Sequence, residues 1–468
     1  MKIMTGDKKT RIEKDTLGKV RLPADVYFGA QTKRAIDNFP ISGLSLQRQF
    51  IKAQGIVKLA AARANNGLGL LNRKIFRAIE KAVLEVIKGL HDNQFIVDVY
   101  QAGAGTSQNM NINEVIANRA IEILGGKKGD YSLIHPNDHV NMAQSTNDTI
   151  PSAMYISAFE MVKGKLIPEL RALYTELLRK SREFDKVVKA GRTHMQDAVP
   201  IRLGQEFSGY AEAVRNDLRR VQNASDSLLY LPVGGNAVGT GINAHPGFQS
   251  YAIREIRKIT GARFRSSRNL FEGIQNVNPA LELSASLRGV SVTLIKIAND
   301  IRLLSSGPGT GFAEIKLPAV QPGSSIMPGK VNPVMAEMLN MVCFRVMGND
   351  TTIAYATQAS QLELNVMMPI IAYNLLFSLK ILTNGINAFT NKCVKGIKAD
   401  IKKCRGFADA TLAMATALNP FIGYSSAAEV SKEAHRTGKT IRQIVIEKGI
   451  LQEKDAKRLL DPQKLTKP

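Results

Sequence analysis

The chain has 468 residues, 44% of them hydrophobic, with no stretch of low complexity, so we expect a folded globular protein of about two to four domains. The 63 basic and 40 acidic residues give a net charge of +23, which raises nucleic acid as a partner. The basic residues are spread along the chain without interleaved aromatic residues. They indicate a solvated surface, and we therefore predict no nucleic-acid partner.

Three cysteines, Cys343, Cys393 and Cys404, have no metal-ligand spacing and are odd in number, which argues against a disulfide framework and for a reducing, cytoplasmic environment. The longest apolar stretch without charge runs for 16 residues from Leu364 to Leu379, too short to span a bilayer. The N-terminal sequence MKIMTGDKKTRIEKD has no apolar core and predicts no signal peptide. We therefore predict no membrane partner.

The apolar pattern divides the chain into three predicted domains. Residues 1–140 are mixed but mostly helical, with a helical pattern from Gln47 to Gly89 that is broken from His91 to Gly105. Residues 141–397 carry long helical patterns and predict a central bundle. Residues 398–468 have shorter helical segments and predict a small helical C-terminal domain. The predicted fold class is therefore mostly α.

The clearest helical pattern in the central segment has apolar residues alternately four and three positions apart. These residues are Leu283, Leu287, Val290, Leu294, Ile297, Ile301 and Leu304. Such a stripe predicts packing against neighbouring helices, and a helix this long favours an oligomer built on a shared bundle.

Four polar stretches lie between the predicted helices. Ala104–Asn111 and Gln144–Asp148 place hydroxyls at helix starts, the second before a helix predicted to begin near Pro151. Each stretch suits either simple capping or anion binding. Gly191–Asp197 contains His194, whose role is either structural or in proton transfer.

The fourth stretch, Gly323–Asn332, reads GSSIMPGKVN. Its glycines and proline predict a loop, and its two hydroxyls, one ammonium and one carboxamide suit the binding of a carboxylate. A second glycine-rich stretch, Ser306–Gly311, lies upstream. The two together predict either a mobile lid hinged at glycines or an ordinary surface loop.

In this order, the four stretches resemble the shared motifs of the aspartase/fumarase superfamily of lyases, and the resemblance extends over nearly the whole chain. GTSQNMN at Gly105–Asn111 and QSTND at Gln144–Asp148 are more similar to the aspartase branch than to the fumarase branch. The resemblance implies a three-domain fold with a long central bundle and a homotetramer whose active sites are each assembled from three chains. It implies no organic cofactor and no fixed metal ligands, although a divalent cation activates some members.

The resemblance also implies a reaction, in which L-aspartate is reversibly converted into fumarate and ammonium through an enediolate intermediate. Ser324 would be the general base that removes the C3 proton. Backbone N–H groups and Lys330 would stabilise its alkoxide. His194 would face the leaving amine, and Glu337 would orient His194.

The remaining residues carried over from the family would bind the dicarboxylate substrate. They are Thr106, Ser107, Ser145, Thr146, Asn147, Thr193, Ser325 and Asn332. Most would donate hydrogen bonds to the enediolate or to the second carboxylate, and Asn147 would face the amine.

Two positions depart from the family pattern. Gly309 stands where the family usually has the arginine of SGPR, and Met368 stands where aspartases usually have the acid of LNVMEP. These departures bear on lid stability, efficiency and substrate choice rather than on the fold. Two alternatives remain at this point: a fumarate hydratase on the same scaffold, and a catalytically silent binding protein.

Overall fold

The computed structural model of the protein describes residues 9–466. Within that range the chain forms sixteen α-helices and eight short strands, which confirms the predicted mostly α fold class. The prediction that there is no signal peptide concerns the start of the chain, of which residues 1–8 lie outside the described range.

The helices account for most of the described chain. In chain order they are α1 (Ala30–Asn38), α2 (Arg48–Gly67), α3 (Arg73–Lys88), α4 (Thr106–Ile123), α5 (Thr146–Met161), α6 (Ile167–Glu183), α7 (Leu203–Ser227), α8 (Phe248–Thr260), α9 (Leu270–Gln275), α10 (Asn278–Leu304), α11 (Val334–Gln358), α12 (Met368–Lys392), α13 (Ile401–Ala410), α14 (Asn419–Thr437), α15 (Ile441–Glu447) and α16 (Glu453–Leu459).

The strands form two-stranded sheets only. They are β1 (Thr10–Asp15), β2 (Gly18–Pro23), β3 (Val188–Thr193), β4 (Gln196–Arg202), β5 (Tyr230–Leu231), β6 (Arg265–Ser266), β7 (Ile315–Lys316) and β8 (Lys398–Ala399). The pairs β1–β2, β3–β4 and β7–β8 are antiparallel, and β5–β6 is parallel.

The chain divides into two compact units. Unit 1 comprises the described residues up to Ile167, together with 220–289 and 345–382. Unit 2 comprises residues 168–219, 290–344 and the described residues from Thr383 onward. The three domain boundaries predicted from the sequence stay a prediction.

The predicted apolar stripe at residues 283–304 lies along α10, and each of its seven residues is at most 4% exposed. The stripe is therefore a packing surface, as its spacing predicted. The Gln47–Gly89 pattern forms two helices rather than one, α2 and α3. The break falls before α3, where the Asn72 side chain accepts a hydrogen bond from the backbone N–H of Lys74 at 2.8 Å and begins the new helix.

One helix in the described chain is long and apolar enough to cross a membrane, over residues Met368–Gly396. The apolar stretch read from the sequence ended at Leu379, but the helix continues past Lys380. Within the protein, 61% of its most apolar window is buried, and the core helix of a folded protein has the same length and composition.

The C-terminal segment of unit 2 has an apolar core of its own. Buried residues of α14, α15 and α16 pack together with the turn that precedes α14, and they include Leu418, Val430, Val445 and Leu460. Gly423, whose φ is 75°, interrupts α14 in this segment.

Candidate active site

The first polar stretch lies in unit 1 at the start of α4. Gly105 takes a left-handed φ of 89° before the helix begins at Thr106, and a Cβ at Gly105 would lie 3.2 Å from Ile150. Gly105 supplies no side-chain cap, but the Gln101 amide oxygen accepts a hydrogen bond from the backbone N–H of Gln108 in the first turn at 2.8 Å. Thr106 is exposed and Ser107 is 8% exposed, so their hydroxyls and the first backbone N–H groups of α4 form a place that suits a carboxylate.

The second polar stretch starts α5, also in unit 1. The Ser145 side chain accepts a hydrogen bond from the backbone N–H of Asn147 at 3.2 Å, and Asp148 completes a capping box. The helix therefore begins at Thr146, and the predicted start near Pro151 is wrong. Pro151 therefore lies inside α5, where it removes one backbone hydrogen-bond donor.

A side-chain hydrogen bond joins the two helix starts. The Asn109 amide of α4 donates to the Thr146 hydroxyl of α5 at 3.1 Å. Asn147 in turn donates to the backbone carbonyl of Ala237 at 2.7 Å. Unit 1 thus brings together all five of its predicted site residues, because Thr106 and Ser107 start one helix and Ser145–Asn147 start the other.

Beneath this cluster lies a buried carboxylate that the sequence analysis did not single out. Asp148 is 0% exposed and accepts backbone hydrogen bonds from Gly234 at 2.9 Å, from Asn236 at 3.0 Å and from Ser145 at 3.0 Å. Burial raises the pKa of Asp148 to about 6, although these backbone hydrogen bonds oppose the shift. Asp148 fixes the loop at residues 234–236 against the start of α5.

Lys58 of α2 is 1% exposed, and its positive charge acts on the Asp148 carboxylate. Its ammonium donates to the side chains of Asn141 at 2.8 Å and Gln144 at 3.1 Å. Burial lowers the pKa of Lys58 to about 7, and the charge of Asp148 opposes that change. A lysine within an alanine-rich apolar run was the sequence signal that could have revealed it.

The third polar stretch lies in unit 2 as the tip of the β3–β4 hairpin, which the sequence did not predict. His194 and Met195 form its two-residue turn with φ values of 55° and 60°. Thr193 and His194 are exposed at this tip.

The base of this hairpin is held by a buried ion-pair network. Glu314 is 0% exposed and contacts the Arg192 guanidinium at 3.0 Å and the Lys189 ammonium at 3.2 Å. The Arg192 guanidinium also lies 4.1 Å from the centre of the Phe312 ring. The network fixes the strand that leads directly to Thr193 and His194.

The fourth stretch, the Gly323–Asn332 loop, is also in unit 2 and is closed at its base. The Gly323 N–H donates to the Lys330 carbonyl at 2.8 Å, and the Asn332 amide donates to the Gly323 carbonyl at 2.7 Å. Ser325 and Lys330 are exposed on the closed loop. Asn332 therefore has a structural hydrogen bond in addition to its predicted role with substrate.

The Ser324 hydroxyl is an acceptor for two backbone N–H groups of its own loop. Its Oγ accepts hydrogen bonds from the backbone N–H groups of Ile326 at 3.2 Å and Met327 at 3.0 Å. Two donors directed at one oxygen stabilise negative charge on that oxygen.

Glu337 lies in the first turn of α11, directly after the loop. Within one chain, residues 9–466 include no hydrogen bond or ion pair between Glu337 and His194. Orientation of His194 by Glu337 stays a prediction.

The two departures from the family pattern have different surroundings. A Cβ at Gly309 would meet nothing within 4 Å, so this position is open. Met368 is 0% exposed as the first residue of α12. A carboxylate in its place would need partners to offset desolvation, which methionine does not need.

Metal ligands do not cluster in the described part of the chain. Over residues 9–466, no three or more His, Cys, Asp or Glu side chains are grouped so that they could hold a metal ion.

Comparisons with known proteins identify the class of protein to which this chain belongs. A family model described as lyase matches residues 18–348, and one described as fumarase C C-terminus matches residues 414–467. The chain belongs to the aspartase/fumarase superfamily of lyases. Members of this superfamily act on dicarboxylates and need no organic cofactor.

Relatives from both branches align over nearly the full length. An aspartate ammonia-lyase of Bacillus subtilis is 47% identical, with 100% of this chain and 98% of the relative covered. A class II fumarate hydratase of Halobacterium salinarum is 49% identical, with 97% of each covered. The crystal structure of a fumarate lyase:delta crystallin from Brucella melitensis bound to cobalt has a TM-score of 0.94 at 45% identity, covering 98% of this chain and 100% of that one.

Proposed function

We propose that the protein converts L-aspartate reversibly into fumarate and ammonium. Overall identity does not separate the two candidate reactions, since the aspartate ammonia-lyase and the fumarate hydratase relatives are 47% and 49% identical. The aspartase-like strings at Gly105–Asn111 and Gln144–Asp148 support aspartate. Both strings lie at the helix starts that form the hydroxyl cluster of unit 1.

The observation that carries the proposal is the Ser324 hydroxyl with its two backbone donors. An ordinary serine is far too weak a base to take a proton from carbon. The N–H groups of Ile326 and Met327 favour its alkoxide, and the exposed Lys330 of the same loop adds a positive charge. The closed base of the loop holds these groups in place before substrate arrives.

In the proposed step, the Ser324 alkoxide takes the C3 proton of aspartate, and the electron pair of the C–H bond moves into the adjacent carboxylate to give an enediolate. The enediolate then re-forms the carboxylate, the C2–N bond of the protonated amine breaks, and a C2–C3 double bond forms as ammonia leaves. Ammonia takes up the proton held by Ser324, which gives ammonium and restores the alkoxide. Donors such as Thr106, Ser145, Thr146 and Ser325 stabilise the charge on the intermediate.

The remaining site residues bind the other parts of the substrate. Thr193, Lys330 and Asn332 contact the second carboxylate, and Asn147 and His194 face the amine. Ser107, at the start of α4, lies beside Thr106 and adds a further hydroxyl to the same carboxylate site.

We propose that these groups meet in a homotetramer, in which each site takes residues from three chains. Unit 2 supports an assembly because large apolar side chains of its long helices face outward. Val292 is 54% exposed, Met341 65% and Phe344 59%. Apolar side chains in such positions favour burial against another copy of the chain.

The test follows fumarate by its ultraviolet absorbance with L-aspartate and L-malate offered separately. We expect fumarate and an equal amount of ammonium from aspartate, and at most slow formation from malate. Fumarate from malate alone would assign the chain to the fumarate hydratase branch, to which the Halobacterium relative belongs by its name. Product from neither substrate would overturn the proposal and favour a catalytically silent protein.

A further inference from the structure

A groove in unit 1 is lined by four cationic side chains that the proposed reaction does not use. Arg73, Lys74, Arg77 and Lys81 of α3 lie along it, and all four are exposed. The apolar residues Ala78, Ile123 and Leu124 complete its lining, and its volume is about 520 Å³. None of these seven residues belongs to the candidate active site.

The cations of this basic groove are not neutralised. Over residues 9–466, none of the four makes an ion pair with a carboxylate. The acids on the same helix have other partners, since Glu80 pairs with Arg63 at 2.8 Å and Glu85 pairs with Arg119 at 2.6 Å. The groove therefore keeps its positive charge.

The arrangement opposes the stability of α3. Arg73 and Arg77 are four positions apart, as are Arg77 and Lys81, and like charges at this spacing repel each other on a helix. Arg73 and Lys74 also stand in the first turn, at the positive end of the helix dipole, and no acidic residue stands in that turn. A bound anion would relieve both kinds of repulsion.

We propose that the basic groove binds a polyphosphate anion. Arg73 and Lys81 are eight residues apart, which is about 12 Å along a helix and matches a chain of several phosphates. Arginine binds phosphate oxygens through two parallel N–H groups, and lysine adds point charge. A single carboxylate would engage only part of this set.

The same chemistry is available from an inorganic polyphosphate or from a nucleoside triphosphate. The apolar side chains of Ala78, Ile123 and Leu124 could contact the organic part of a nucleoside triphosphate. The four cations would contact the phosphates of either ligand. A nucleic acid would require the basic surface to continue beyond the groove. On α3 the positions three and four after Lys81 are Leu84 and Glu85, which add no positive charge, and the exposed Lys88 is the next cation on this face. The oligonucleotide titration below therefore tests the nucleic-acid alternative directly.

Isothermal titration of the full-length protein with sodium tripolyphosphate and with ATP, at fixed ionic strength and without magnesium, tests the proposal. We expect the wild type to bind both. The double variant Arg77→Gln, Lys81→Gln should bind each at least about tenfold more weakly. The matched control Lys402→Gln, Lys403→Gln removes two exposed cations of α13 and should change affinity less than about threefold.

Thermal unfolding without ligand distinguishes binding from a structural role. Because the cations repel one another, we expect the Arg77→Gln, Lys81→Gln variant to have a Tm equal to or above that of the wild type. A lower Tm together with weaker binding would mean that the side chains hold the fold, and would overturn the proposal.

Three binding results would also overturn it. The first is no tripolyphosphate binding by the wild type, and the second is equal weakening in the α13 control. The third is that a short single-stranded oligonucleotide binds more tightly than tripolyphosphate, displaces it, and loses its affinity in the groove variant. That result would indicate a nucleic-acid site instead. Fumarate should not compete with tripolyphosphate in any of these titrations.

Discussion

Ser324 and Asp148 each collect backbone N–H groups around a side-chain oxygen, yet only Ser324 could be predicted from the sequence. The donors to Ser324 are two and three residues away within one loop. The donors to Asp148 from Gly234 and Asn236 are 86 and 88 residues away. The first arrangement lies within one loop, whose resemblance to the family motif predicted the role of Ser324, whereas the second depends on how the chain folds back.

Replacing Asp148 by asparagine should loosen unit 1 at the start of α5. In the variant, the asparagine NH₂ group would replace a carboxylate oxygen that accepts backbone hydrogen bonds in the wild type. Buried backbone N–H groups would then lack an acceptor. We expect the free energy of unfolding to fall by about 2–4 kcal/mol. Urea unfolding followed by circular dichroism measures this change.

The control for Asp148 is Asp37→Asn, which removes one partner of an exposed ion pair with Lys33. It should change the free energy of unfolding by less than about 1 kcal/mol. Equal stabilities for Asp148→Asn and the wild type would show that this carboxylate does not hold the 234–236 loop.

At the scale of elements, the apolar stripe of α10 was predictable and the β3–β4 hairpin was not. Its tip has no glycine or asparagine, although His194 and Met195 both take positive φ values. The strand pairing also shifts between Ala190 and Arg192, so the alternation of buried and exposed residues is interrupted. The buried ion pairs of Glu314, 122 residues away from Arg192, hold the hairpin despite these weak local preferences.

The Glu314→Gln variant tests whether that network positions the hairpin. It would leave the charges of Arg192 and Lys189 buried with less compensation, and we expect a loss of about 3–5 kcal/mol in the free energy of unfolding. Catalytic turnover should fall as well, because Thr193 and His194 lose their support. Chemical unfolding and steady-state kinetics on the same preparations provide both values.

Glu212→Gln serves as the matched control, since Glu212 pairs with Arg215 on an exposed helix face. It should leave stability and turnover close to those of the wild type. A Glu314→Gln variant that behaves like this control would remove the network from the account of the site.

At the scale of the whole molecule, the long apolar stripes predicted a helical bundle and favoured an oligomer, whereas the lyase reaction and the tetramer with composite sites were implied only by the family resemblance. The predicted site residues fall into two sets, one at the helix starts of unit 1 and one on the hairpin and loop of unit 2. Periodicity predicts which helix faces are buried. It does not identify which exposed apolar side chains, such as Phe344, contact another chain.

Composite sites predict complementation between inactive variants. Ser324→Ala and Thr106→Val alter different sets of residues, so a mixed tetramer would contain some sites with neither change. Co-expression of the two variants should restore activity on the order of a tenth of the wild-type value. Fumarate formation by the purified mixed tetramer measures the recovery, and no recovery in a verified mixed assembly would argue for sites built within one chain.

The most direct measurement of the central claim is the rate of fumarate formation from L-aspartate by Ser324→Ala, compared with Ser208→Ala, which removes an exposed hydroxyl of α7. If the Ser324 oxygen takes the C3 proton, kcat should fall by about 10³-fold while the variant keeps its fold, and the control should be unaffected. A Ser324→Ala enzyme that retains wild-type turnover would contradict the account.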